Sequence, residues 1–346
     1  MKINKKLMAK MPKAYSVCPL TFRGEKKIVA ATEKDGPINL FDLDGNLEET
    51  IIEDFGGVMS IVPLENEDES FLTTYKFYSP NDGYEASIVH VKKIEGKWSF
   101  RKIVDLPFVH RFDLLRVDNK NYLIACTIKS GFEFRNDWNQ AGKLYVGLLP
   151  DDLDQVSEEN PLELEVLHDK LTKNHGYYRV NEEVPYSLIS SVEGVFKVIP
   201  PHADKPWQMI KLLDQSTSDI LYYDLDGDGK KELVTFSEFH GDHLDIFKEN
   251  ADGEFERTFA YKKPLKFLHA LYACPYEDKT LLVVGHREGE RDLFGLYYDP
   301  QKNDYVRIDI DTNVGVANVS GFYKKDKLCL VACHRETDQV LMYDFE

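Results

Sequence analysis

Residues 222–234 read Tyr222-Tyr223-Asp224-Leu225-Asp226-Gly227-Asp228-Gly229-Lys230-Lys231-Glu232-Leu233-Val234. The aromatic pair and the Glu232-Leu233-Val234 run have strand character, and the acidic segment between them carries glycines that permit a tight turn. Asp224, Asp226, Asp228 and Glu232 are spaced as hard-oxygen ligands around one cation, which predicts a structural Ca²⁺. The alternative is an unmetallated turn whose shape its glycines set. The stretch also serves as a ruler for the rest of the chain.

Leu233 opens the second strand of its unit. Equivalent apolar anchors are Ile28, Leu72, Leu123, Leu188, Leu282 and Leu330. Each follows an apolar run and a polar turn, and each precedes a third run, at residues 38–43, 86–91, 143–149, 194–199, 243–248, 293–298 and 340–345. A fourth run begins at Glu48, Trp98, Leu162, Trp207, Phe255 and Tyr305. Four-stranded units of roughly 40 to 60 residues predict an all-β, seven-bladed β-propeller over residues 1–346, as one domain. The seventh unit stops after its third strand at Glu346, and residues 1–13 contain a further strand from Ile3 to Met8. That strand is expected to complete the last blade and hide an open edge.

Composition narrows the function. The net charge is −17, against a phosphate-backbone or anionic-membrane partner, so neither nucleic acid nor membrane is expected. No run approaches the length of a membrane span, and Met1–Lys10 is basic without the apolar core of a signal peptide. The five cysteines are Cys18, Cys126, Cys274, Cys329 and Cys333, four of them inside apolar runs. Buried free thiols and a reducing, cytoplasmic setting follow as expectations, with a monomer as the expected state. No phosphate loop or nucleophile elbow is present.

The ruler also aligns the histidines. Thirteen residues before each anchor stand Tyr15, Met59, His110, His175, Ile220, His269 and Ala317. Four residues after each anchor stand Thr32, Lys76, Thr127, Val192, Ser237, His286 and His334, with His240 just beyond that position in unit five. In a propeller the start of the first strand and the end of the second lie on one side, so these histidines are expected at one mouth of the channel. Neutral imidazoles at one depth suit a divalent transition metal, Zn, Mn or Fe, with an open coordination position. His110, His175 and His269 are the expected metal ligands, and His240, His286 and His334 the acid–base or substrate-binding groups. A histidine in a strand is also a common packing residue. Insertions at 76–84 and 129–140 place aromatic and amide side chains on the same side, suited to sugar faces or to packing on each other. Arg111, Arg287 and Arg335, each following a histidine of these rows, are expected in ion pairs between blades.

The Asp-x-Asp-Gly-Asp-Gly-x-x-Glu-Leu turn resembles the FG-GAP and VCBS repeats of calcium-binding propellers. With the Gly315-Val316-Ala317-Asn318-Val319 blade start and the histidine rows, the chain is similar to the propeller of the aldos-2-ulose dehydratase family. That resemblance implies a metal-assisted lyase or dehydratase acting on a keto-sugar or related small carbohydrate. A non-catalytic propeller that binds a glycan or a protein partner is the alternative.

Overall fold

The structure is a computed structural model and describes residues 2–65 and 67–346. Among the described residues seven four-stranded sheets account for 28 strands. Among the described residues there is no α-helix, only a 3₁₀ turn at Leu153–Gln155. This is the strand count and topology of a seven-bladed β-propeller. In blades one to six the four strands of a sheet follow one another in the chain. Blade seven differs. Its order is Ile3–Lys10, Gln339–Phe345, Lys327–His334, Val316–Lys324, with Ile3 opposite Phe345 and Lys10 opposite Gln339. The N-terminal strand therefore supplies the outer strand of the last blade, as the sequence led one to expect.

The chain forms two compact units. One comprises the residues up to Asp54 together with Leu221–Glu346 and holds blades one, six and seven and most of blade five. The other, Phe55–Ile220, holds blades two, three and four.

Within the first unit, Val283, Leu293, Val316, Leu330 and Leu341 pack together between blades six and seven. Met11, Ile28, Phe41, Val331 and Met342 do the same between blades seven and one. In the second unit Leu115, Ile124, Val146, Ile189 and Val198 fill the space between blades three and four. A second strand can read as a nearly continuous apolar run because neighbouring blades cover both its faces; Lys327–His334 is buried at every position from Leu328 to His334. Each fully buried Leu, Ile or Val contributes about 1.5–3 kcal/mol relative to exposure.

One strand departs from the sequence reading. The outer strand of blade three is Glu165–Leu171, not a run from Leu162. Pro161 interrupts the approach, and the Leu162 amide instead donates to the Ile103 carbonyl at 2.8 Å, binding the connection to blade two's outer strand. The inner strand of blade two is only Ile61–Pro63, since Pro63 offers no amide to lengthen the ladder. Gly176 is required by close approach. A Cβ on Gly176 would lie 2.0 Å from Ser190 Oγ and 2.5 Å from the Ser218 carbonyl oxygen, so no side chain fits where the inner strand of blade four begins. His175 is the residue before it.

Candidate functional site

In the unit Phe55–Ile220, His110 is the second residue of the strand Val109–Val117 and His175 immediately precedes Gly176–Val180. Both are buried, His110 to 3% exposure and His175 to 0%. Their rings lie 4.4 Å apart between centroids, with Phe77 edge-on to His110 at 5.1 Å. His175 Nδ1 lies 3.1 Å from Asp219 Oδ1. Asp219 is itself buried, and its Oδ2 accepts from Ser218 Oγ at 3.0 Å. A buried carboxylate is costly unless paired, so the two groups stabilise one another, and the carboxylate favours the proton on Nδ1. Asp219 was not singled out in the sequence; its one signal was its place beside Ile220 of the inner-strand row.

In the other unit, His269 is the second residue of the strand Leu268–Tyr276 and is buried to 3% exposure. Its Nδ1 is 2.5 Å from the Ala317 carbonyl oxygen, which can only accept, so Nδ1 carries the hydrogen. Nε2 then accepts from the Tyr15 hydroxyl at 3.0 Å. A hydrogen bond thus fixes the tautomer of His269, while at His175 a carboxylate charge stands beside the same nitrogen. His240 follows the strand Glu232–Ser237 in a tight turn and has a φ of +54°, a left-handed conformation uncommon outside glycine. Its ring stacks at 4.4 Å on Phe267 and at 4.9 Å on His269.

The second histidine row is engaged elsewhere. His286 Nδ1 donates to the Glu288 carbonyl at 2.9 Å, and its Nε2 accepts from the Asp292 amide at 3.0 Å. Both nitrogens therefore close the loop 287–292. His334 Nε2 is 2.9 Å from the Tyr343 hydroxyl, which donates to Asp311 Oδ2 at 2.7 Å, and Lys5 pairs with the same carboxylate oxygen. Burial drives the His334 imidazole down to about 4, only partly offset by Asp311. These side chains leave the ends of second strands sideways, into contacts within and between blades, which the strand register alone does not show.

Of the three arginines, two make the expected pairs between blades. Arg287 donates to Glu336 Oε1 from Nε at 3.0 Å and from Nη2 at 2.7 Å. Arg335 pairs with Glu336 at 3.0 Å and with Glu33 of blade one. Arg111 instead donates to the Met59 carbonyl at 2.5 Å. The insertions pack on each other. Asn81 and Asn136 exchange hydrogen bonds at 2.9 and 2.8 Å, and the Tyr84 ring lies 5.1 Å from that of Phe132. Lys129, fully buried, anchors the second loop: its Nζ donates to the Asp137 carbonyl at 2.6 Å and sits 4.1 Å above the Trp138 ring.

The acidic turn contains a cation from the chain itself. Lys248 Nζ lies 2.5 Å from Asp226, 2.8 Å from Asp228 and 3.0 Å from Glu232. Burial opposes the ammonium charge, but the carboxylates outweigh it and hold Lys248 well above the ordinary lysine range. Asp224 is used differently, accepting from the Gly227 and Gly229 amides at 2.8 and 3.0 Å. Carboxylate oxygens of Asp224, Asp226 and Glu232 lie within 4.8 Å of one another, so a cation could be held there where Lys248 withdraws. Within blade five the turn stands at the opposite end of the second strand from His240.

No protein-family model matches the chain. No curated protein matches it either. Solved structures do. A streptogramin B lyase is similar with a TM-score of 0.59 and 11% identity over 99% of this chain and 98% of that one. The Dos1 propeller gives 0.60 and 9% over 96% and 78%. The periplasmic gluconolactonase PpgL of Pseudomonas aeruginosa gives 0.54 and 12% over 94% of each chain. At these identities the likeness shows the fold, and the fold of this chain is that of the seven-bladed β-propellers.

Proposed function

We propose that the protein is a metal-dependent carbon–oxygen lyase acting on a keto-sugar or related small carbohydrate. Its metal ligands are drawn from the inner-strand histidines His110, His175 and His269. The observation that carries the reading is an oxygen beside Nδ1 of both His175 and His269, at 3.1 and 2.5 Å, which favours the lone pair on Nε2 of each. Histidines that bind metal ions have this arrangement, with an acceptor fixing the other nitrogen. A divalent ion would supply Lewis acidity toward a sugar carbonyl or hydroxyl oxygen. His240, strained and stacked beside His269, is the acid–base group this reading favours, since His286 is tied on both nitrogens to the backbone of its own loop and His334 is bound into the Tyr343–Asp311 network. The propeller structures named as a lyase and a gluconolactonase support an enzymatic reading.

The test is metal analysis of the purified protein, together with turnover of keto-sugars such as anhydrofructose. A stoichiometric transition metal, lost on replacing His175 or His269 by Asn, is the expected result. The reading fails if no transition metal binds and these variants keep the wild-type ligand behaviour. The protein would then belong with propellers that bind a glycan or protein partner without catalysis.

A further inference from the structure

We infer that Tyr15 is a further metal-ligating residue, its phenolate oxygen joining His269 Nε2 around one first-row divalent ion. The inference deepens the metal-dependent reading and rests on it. Tyr15 is the second residue of the inner strand of blade one, Ala14–Phe22, at the sequence register that His110, His175 and His269 occupy relative to their own second strands. It is buried to 3% exposure, with its ring edge-on to His269 at 5.3 Å between centroids. Its carbonyl accepts from Asn318 Nδ2 at 2.8 Å, which fixes the backbone from which the phenol projects.

The geometry has the dimensions of half a coordination sphere. The phenol oxygen is 3.0 Å from His269 Nε2. Two donors at about 2.0–2.1 Å from a tetrahedral ion stand about 3.3 Å apart, so an adjustment of a few tenths of an ångström seats both. The Ala317 carbonyl at Nδ1 keeps the Nε2 lone pair directed at that space. What links the two atoms in the protein alone is the phenolic hydrogen. On metal entry Tyr15 releases that proton to solvent, the O–H bond breaks, and the oxygen and Nε2 each form one bond to the ion. No redox change occurs, and the charge balances as one proton lost for one phenolate bound.

The probe is the metal alone. Wild type and Tyr15→Phe are titrated with Zn²⁺ against a chromophoric chelator. Both are also loaded with Fe²⁺ and oxidised in air. Tyr15→Phe keeps the ring and its edge contact with His269. Tyr272→Phe, which removes another mostly buried phenol in the same unit, is the control for loss of a hydroxyl as such. The expected result is Zn²⁺ binding about tenfold weaker or more in Tyr15→Phe, with a visible phenolate-to-iron(III) absorption band in wild type and Tyr272→Phe that Tyr15→Phe lacks. Metal binding with the same affinity and the same iron spectrum in all three proteins overturns the Tyr15 assignment and leaves the histidine site standing. Failure of wild type to bind either metal overturns both.

Discussion

His175 Nδ1 lies 3.1 Å from Asp219 Oδ1, joining the start of blade four's inner strand to the inner strand of blade five. Asp219→Asn keeps the shape but removes the charge that favours Nδ1–H. Transition-metal affinity should fall by about 10- to 100-fold, the usual cost of losing an outer-shell partner. A competition titration with Zn²⁺ measures it. Unchanged affinity would show that the pair is only a packing device. Circular dichroism and the melting temperature report whether the variant has kept its fold.

His334 sets a pH window. Its folded-state imidazole is near 4, below its ordinary value, because burial disfavours the charged ring. The unfolded chain therefore takes up the proton first as pH falls. Stability is fully present above about 6.5 and declines between there and about 4, by about 3 kcal/mol in all. The gradient of denaturant midpoints over this range should be shallower in His334→Gln. An equal gradient in the variant would place the acid sensitivity elsewhere.

Lys248 competes with calcium. In wild type, added Ca²⁺ should raise the melting temperature little, since an ion must displace an ammonium held by three carboxylates. Lys248→Gln leaves those carboxylates without their cation. It should melt lower than wild type in chelator and recover on adding Ca²⁺. Differential scanning fluorimetry with and without Ca²⁺ decides it. A large Ca²⁺ stabilisation of wild type would mean that the lysine gives way.

Lys129 holds the loop 130–140. Its ammonium is enclosed by the Trp138 and Phe132 rings and caps the Asp137 carbonyl. Burial lowers its proton affinity, yet the cation–π contacts and the carbonyl favour the charged form. Lys129→Ala should cost about 1–3 kcal/mol through the unpartnered carbonyl and the emptied space. Limited proteolysis should shift to the segment between Gly131 and Gln140, while blade strands stay protected. A cleavage pattern like that of wild type would show that the Asn81–Asn136 contacts suffice.

Much of the fold was legible because its signals are local. Apolar runs and the polar turns between them repeat through the chain, so Leu233 and its six equivalents place the second strands, and Ile3–Met8 could be matched to the incomplete seventh unit. The misreading at Leu162 came from the same source: an apolar run beside a proline satisfied the pattern while its amide found a partner in another blade. The histidine row was legible as a register. What each ring does was not, because a hydrogen-bond partner is chosen by direction and distance across blades. His286 and His334 have the same position in their strands, yet one binds backbone and the other a tyrosine.

The sequence by itself determined seven units, their strand order, the closing N-terminal strand and the register of His110, His175 and His269 at or just before the start of their own inner strands. These follow from periodicity and turn chemistry, which act over a few residues. Only the tertiary structure decided that Lys248 fills the acidic turn at 222–234, that Asp219 faces His175, and that Tyr15 meets His269 across 254 residues of chain. Those contacts depend on which side chains the packing of separate blades turns toward one another, and no local pattern records that.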